Sequence, residues 1–176
     1  LDQMENFTVR NGIVTNVAFK KKEARNIAVL NIKRKEINMR TYFSHSIRGK
    51  LGNACTPASL KENCLAAIET GEEIRKACPW ADIYIPAEHE DFVQKAYDKK
   101  YMTEKQILDV DCDILSECDN IIIFVPVNDE LQGGRLIEHD HAINECMHVC
   151  LFSDPVEAID WLTELHDYDR HYGGEG

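Results

Sequence analysis

The sequence predicts an α/β fold, a doubly wound parallel sheet preceded by an N-terminal β-hairpin appendage. Three observations carry this expectation. Strand-length apolar runs alternate with segments of helical periodicity from Thr41 to His166, the pattern of parallel strands joined by crossover helices. Ile121 to Val127 is a continuous apolar run, as a strand covered on both faces requires. Asn11-Gly12 separates two β-branched runs near the start, which is a strong hairpin signal.

The elements follow in order. Phe7 and Val9, then Ile13, Val14, Val17 and Phe19, then Ile27, Val29 and Leu30 make the short strands of the appendage, residues 1–38. The main domain, residues 39–168, opens with a strand at Thr41–Ser44. Pro57–Cys78 is helical, because Leu60, Cys64, Ala67, Ile68 and Ile74 recur at helical spacing and Thr56 or Ser59 is placed to cap. Pro79 ends that helix, and Ala81–Ile85 is the second strand. Phe92–Tyr101 is polar and reads as a mobile loop or helix. Thr103–Cys118 is a helix capped by Thr103, with Ile107, Val110, Ile114 and Leu115 facing inward. Beyond the Ile121–Val127 strand, the pattern predicts a helix over Leu136–Cys146 and a strand over His148–Phe152. Pro155–His166 is the last helix, with Val156, Ile159, Trp161, Leu162 and Leu165 as its apolar positions. Residues 169–176 read as a flexible tail, and no internal repeat is present.

Composition narrows the class. At 176 residues and 20.2 kDa the chain suits a single domain with a good core, and 44% apolar residues exclude a disordered one. No apolar run is long enough to span a bilayer, and Leu1–Arg10 lacks the apolar segment of a secretory signal, so no membrane association is expected. Seven scattered cysteines, an odd number, point to reduced thiols in a cytoplasm. Residues 1–50 carry 11 Lys/Arg against 4 Asp/Glu, the remainder 9 against 27, for a net charge of −11. Such a chain lacks the basic stripe of a nucleic-acid binder, and the KKK at 20–22 and KRK at 33–35 read as solvated strand ends and turns. A small anionic substrate stays compatible, because local donors rather than net charge decide its binding.

Two stretches carry the chemistry. In DCDILSECDNIIIFVPVNDELQGGRLIE, residues 111–138, Asp111 opens a helical stretch, a strand follows, and Gly133-Gly134 leads to Glu138 at the start of a helix. In YFSHSIRG, residues 42–49, a strand runs into a turn bearing Ser46, Arg48 and Gly49. Both place polar groups at the C-terminal ends of strands, where open α/β sheets bind ligands. Two carboxylates flanking a C1′–N bond suit glycoside cleavage, and a hydroxyl, a guanidinium and backbone N–H groups suit a phosphate. Each motif alone has a plainer reading: acids are favoured at helix N-termini by the dipole, and S-x-R-G is a common solvated turn.

Taken together, YFSHSIRG, Asp111, Cys118-Asp119 with Ile121–Val125, Gly133-Gly134 and Glu138 resemble the nucleoside 2-deoxyribosyltransferase superfamily. The similarity runs from Arg40 to Trp161 and is nearest to the branch of 2′-deoxynucleoside 5′-monophosphate N-glycosidases. That resemblance implies a flavodoxin/Rossmann-like fold, a homodimer, no cofactor, and a nucleoside 5′-monophosphate as substrate. It makes Glu138 the nucleophile and Asp111 the residue that orients or protonates the base. Ser46, Ile47, Arg48 and Gly49 would cradle the 5′-phosphate together with Gly133 and Gly134, while Tyr42 and His45 would lie near the sugar or base. His45 stands where the family has a small residue. With water as acceptor, the implied enzyme is a hydrolase that releases the free base and (deoxy)ribose 5-phosphate. Transfer of the deoxyribosyl group to a second base is the enzymatic alternative, and a nucleotide-binding or sensing module is the non-catalytic one. His139, His141, Cys146, His148 and Cys150 hold metal-ligand chemistry, but the helix-to-strand break falls among them and no metal is expected. His89, Glu90, Tyr97 and Tyr101 are further candidates for the base pocket.

Overall fold

A computed structural model describes residues 8–10, 13–15 and 39–172, and the chain divides into two units, Leu1–Ile37 and Asn38–Gly176. In the first, strands β1 (Thr8–Arg10) and β2 (Ile13–Thr15) pair antiparallel with Arg10 opposite Ile13, as a two-residue Asn-Gly connection predicts. The expected strand residues Val17, Phe19 and Ile27–Leu30 lie outside the described residues.

The second unit is an α/β layer structure on a four-stranded, all-parallel sheet. Its strands are β3 (Met39–Ser44), β4 (Ala81–Tyr84), β5 (Asn120–Phe124) and β6 (His148–Phe152), in spatial order β4-β3-β5-β6. Helices α1 (Pro57–Ala77) and α5 (Pro155–Tyr172) pack together, as do α3 (Glu104–Ser116) and α4 (Gly134–Asn144). Strand alternation divides the core between these pairs. Phe43, Ile122 and Phe152 pack with Cys64, Ala67, Ile74, Ala158 and Leu162 of α1 and α5. Tyr42, Ile121 and Ile123 pack with Leu115 and Ala142 of α3 and α4. The sheet is thus covered on both faces, a Rossmann-like doubly wound arrangement. No helix among the described residues is long and apolar enough to cross a membrane.

Local chemistry explains most boundaries. Pro57 stands at the first position of α1 and the Thr56 hydroxyl accepts from the Ser59 N–H at 3.1 Å. Its buried stripe is Cys64, Ala67, Gly71 and Ile74, and it stops at Ala77 because residues before a proline avoid helical dihedrals. Thr103 and Gln106 form a reciprocal capping box on α3. Asp119 closes the start of β5 against β3: its carboxylate accepts from Arg40 N–H at 2.7 Å, and its own N–H donates to the Arg40 carbonyl at 2.8 Å.

Several expectations are corrected. The polar 92–101 stretch, read as a mobile loop or helix, is helix as far as Asp98, in α2 (Glu90–Asp98), so here the correction is only to its bounds. Strand β5 ends at Phe124 rather than Val127, since Pro126 has no N–H to extend a ladder. Val110 faces solvent, because the inward stripe of α3 runs through Ile107, Asp111, Ile114 and Leu115 instead. Asp111 accordingly lies in the middle of α3, not at its start, and the helix expected over Leu136–Cys146 is α4, Gly134–Asn144, which puts Glu138 one turn from its start. Residues 169–172, expected in the tail, continue α5, since no helix breaker intervenes before Gly173-Gly174.

Gly71 is the tightest point between α1 and the sheet. A Cβ there would collide with the Ile85 side chain and lie 3.1 Å from Phe43 Cδ1. Overpacking of this kind costs about 1–3 kcal/mol, against roughly 1 kcal/mol returned by better helix propensity. Gly71→Ala is therefore expected to lower the denaturation midpoint in urea, and a raised midpoint would refute the packing argument.

Candidate functional site

The strand order reverses between β3 and β5, so the loops leaving their C-terminal ends diverge and open a crevice, the usual ligand position in such sheets. A cavity of about 380 Å³ occupies it, within the range of small-molecule sites. Residues from both halves of the sequence motif line it: His45, Ser46, Ile47, Arg48 and Gly49 after β3, and Gly133, Gly134 and Glu138 at α4, with Asp111 from α3 and Glu90 from α2.

Glu138 is the centre of this arrangement. It is only 6% exposed, yet both carboxylate oxygens have partners. Tyr42 Oη donates to Oε1 at 2.9 Å, and Ser44 Oγ donates to Oε2. Tyr42 and Ser44 are two residues apart on β3 and so project from the same face, toward α4. Burial pushes the Glu138 carboxyl up to about 7. The Ser44 and Tyr42 hydrogen bonds and the Arg135 guanidinium oppose that rise, and the charge of Asp111 adds to it. Burial, then the neighbouring Glu138 charge, also drive the Tyr42 phenol well above its usual range. Tyr42 is fully buried and is not part of the cavity lining, so it acts on the site through Glu138.

Two more carboxyls share the cavity. Burial alone accounts for Asp111, raised to about 6. Glu90 rises to about 7, first from burial and then from Asp111, with Arg48 pulling the other way. The cations nearby are engaged elsewhere. Arg48 Nη1 is 3.1 Å from Glu104 Oε1 in a half-exposed pair. Arg135 is 1% exposed; its Nη2 meets Asp129 Oδ2 at 2.9 Å and the Glu130 carbonyl at 2.8 Å, and its Nη1 meets the Phe124 carbonyl at 2.7 Å. Arg135 thereby clamps the loop after β5 onto the strand end and fixes where α4 begins.

The 46–49 turn is organised by internal bonds. Gly49 N–H donates to Ser46 Oγ at 2.9 Å, Asn63 Nδ2 donates to the Ile47 carbonyl at 2.8 Å, and Gly49 takes a left-handed φ of 55° where a Cβ would press on Asn63. An anion binding here exchanges with existing partners. At the other wall, Gly133 (φ 61°) caps α4 with no side-chain hydrogen bond, and nothing lies within 4 Å of where its Cβ would be. A Cβ at Gly134, by contrast, would lie 3.2 Å from Leu108 Cδ2, so the start of α4 packs closely on α3 while Gly133 and Gly134 line the cavity.

His45 completes the wall. It is 8% exposed and neither ring nitrogen meets a partner in hydrogen-bonding geometry. Burial, helped by nearby Arg135, lowers the imidazole to about 4 against a smaller pull from the Phe43 backbone, so the ring is neutral. Of the further base-pocket candidates, Glu90 and Tyr97 line the cavity, while His89 stacks on Tyr84 with centroids 5.5 Å apart and Tyr101 is exposed. Among the described residues no group of three or more His, Cys, Asp or Glu is disposed to hold a metal. His141 instead bonds Ser116 Oγ at 2.7 Å.

Sequence reasoning missed Ser44, Arg135 and Glu104. Ser44 was legible as the residue two along from Tyr42 on one strand face. Arg135 was harder, because the inward stripe of α4 is Arg135, Glu138 and Ala142 while Leu136, Ile137 and Ile143 face out, an inversion of the usual amphipathic order. Comparison with family models, with curated proteins and with solved structures finds no match.

Burial of Glu138 has a measurable price in stability. Its folded value near 7 exceeds the ordinary 4.5, so the folded chain holds an extra proton between those limits and stability falls as pH rises from about 4.5 to 7. The effect of this one group is on the order of 3 kcal/mol at most. Urea midpoints measured from pH 5 to 8 are expected to decline, and Glu138→Gln to flatten the decline and raise the midpoint at pH 8. An unchanged slope in Glu138→Gln would show that this carboxyl does not titrate abnormally.

Proposed function

We propose that the protein is an N-glycosidase that cleaves a (deoxy)nucleoside 5′-monophosphate to free base and (deoxy)ribose 5-phosphate. The observation that supports this most is Glu138, buried at the crevice with both oxygens oriented by Tyr42 and Ser44, and sharing its cavity with a second raised carboxyl, Asp111.

In the reaction, an ionised Glu138 oxygen bonds to C1′ as the C1′–N bond breaks. The bonding electrons leave with the base, which takes a proton from Asp111. Asp111, now a carboxylate, accepts a proton from a water whose oxygen bonds to C1′ and displaces Glu138. The Tyr42 and Ser44 donors favour the ionised nucleophile and hold it in one orientation. The 5′-phosphate is matched by Arg48 at the mouth, exchanging it for Glu104, and by the start of α4 at Gly133-Gly134, which lines the cavity.

The test is chromatography of a panel of nucleosides and nucleoside 5′-monophosphates, ribo and deoxy, incubated with wild type and Glu138→Gln. Free base is expected from nucleotides with wild type, falling by at least about 10²- to 10⁴-fold in the variant. Undiminished release by Glu138→Gln sinks the nucleophile, and no release from any compound sinks the glycosidase. Labelled free base appearing in nucleoside would redirect the assignment to transfer.

The reactive form needs Glu138 ionised and Asp111 protonated. The kcat/KM profile is therefore expected to be bell-shaped, with limbs near 6 and 7. Asp111→Asn should abolish the alkaline limb, since no acid remains to lose its proton. A profile flat from pH 5 to 8 would exclude this division of roles.

A further inference from the structure

A second cavity, of about 1040 Å³, is lined by α1 and α2 and adjoins the crevice. The two share Arg48 and its partner Glu104, together with Glu90, Gln94 and Tyr97 of α2. Asp111, Gly133 and Glu138 line the crevice alone. The end of the substrate that carries C1′ and the base therefore stays in the crevice. Arg48, the group matched to the 5′-phosphate, stands where crevice and groove join. Whatever is esterified to that phosphate leads past Arg48 into the groove.

The chemistry of the groove narrows the attached group. Helix α1 contributes Leu60, Leu65 and Ile68, and Tyr97 of α2 adds an aromatic ring. Carboxylates line it too: Glu88, Asp91 and Asp98, against Lys61 as the cation added beyond Arg48. Glu88 is held by Arg75 at 3.0 Å, and Asp98 accepts from Gln94 Nε2 at 2.7 Å. A lining in which acids outnumber bases repels further free phosphates, so a polyphosphate tail is unsuited to it. An uncharged group with a flat apolar face and N–H or O–H donors suits both the apolar residues and the carboxylates. A second nucleoside has that composition, and the volume is ample for one.

Resting on the glycosidase reading above, we infer that the site also takes dinucleotides, the groove between α1 and α2 binding a second nucleoside joined through the 5′-phosphate. A direct phosphodiester and a pyrophosphate bridge share this chemistry, and the ligand series separates them. Binding to Glu138→Gln, in which turnover is blocked under that reading, would be followed by calorimetry and by amide ¹H–¹⁵N resonances. The ligands, for each of the four bases in ribo and deoxy form, are the nucleoside 5′-monophosphate, its methyl ester, the 5′-triphosphate, the dinucleoside monophosphate and the pyrophosphate-bridged dinucleotide. One dinucleotide class is expected to bind about 10- to 100-fold tighter than the methyl ester, shifting amides of 60–68 and 91–98 that the smaller ligands leave in place. The triphosphate is expected to bind no tighter than the monophosphate.

Leu65 lines the groove but not the crevice and is 49% exposed, so its replacement leaves the fold intact. Leu65→Glu is expected to bring the dinucleotide and the methyl ester nearly to parity. Dinucleotides no tighter than the methyl ester, a preference that survives Leu65→Glu, or tightest binding by the triphosphate would overturn the inference. Chromatography of the same ligands with wild type keeps the two readings apart. Groove-dependent binding without base release would keep the second-nucleoside site and remove the glycosidase. Base release with no dinucleotide preference would do the reverse, and neither binding nor release would remove both.

Discussion

The site depends on a carboxylate kept inside the protein. Glu138 joins α4 to β3 through hydrogen bonds from Tyr42 and Ser44, and these donors are what make its ionised form tolerable away from water. Without them an isolated charge in that position would protonate fully or force the helix away from the sheet. The arrangement dictates the orientation of α4. Turning Glu138 inward puts Arg135 and Ala142 on the same stripe and leaves Leu136, Ile137 and Ile143 outside. The helix thus gives up apolar burial on one face to hold a polar group on the other.

The two guanidiniums of the crevice act on its carboxyls while being bonded to other partners. Arg135 lies next to the site but spends its donors on Asp129 and on the carbonyls of Phe124 and Glu130. Arg48 pairs with Glu104 at the rim. With both guanidiniums so engaged, desolvation is the largest influence on Glu138, Asp111 and Glu90, and all three carboxyls move toward neutrality. A site with carboxyls poised between about 6 and 7 is equipped to hold and to donate protons near neutral pH.

Much of the fold was legible residue by residue. Pro57 with Thr56, the Thr103–Gln106 capping box, Pro79 and the Ile121–Phe124 run are local signals whose physics does not depend on distant contacts. The helix of 90–98 was legible only in part: Phe92, Val93, Ala96 and Tyr97 recur at helical spacing, but only Ala96 is buried and the flanking residues are polar. Val110 misled for a related reason: on a helix every three- or four-residue step is a candidate stripe, and the one actually buried contains an acid, Asp111, that pattern reading assigns to solvent. The candidate site divides the same way. The motif residues around Gly49, Gly133 and Glu138 could be marked from turn and strand-end chemistry. Ser44 could be marked as sharing the strand face of Tyr42, but its bond to Glu138 required knowing that α4 covers that face, and Arg135 required accepting a charged residue at a core position.

By itself the sequence determined the alternation of strands and helices, the positions of their caps and breaks, and the two segments at which polar residues leave strand ends, because backbone sterics, capping hydrogen bonds and hydrophobic periodicity act within a few residues. Only the tertiary structure decided that β3 and β5 are neighbours, that those two segments meet in one cavity, and that Glu138 loses its water there while gaining Tyr42 and Ser44. Strand order and desolvation are properties of the assembled layers. They arise from contacts between residues as far apart in the chain as Tyr42 and Glu138, which no local pattern encodes.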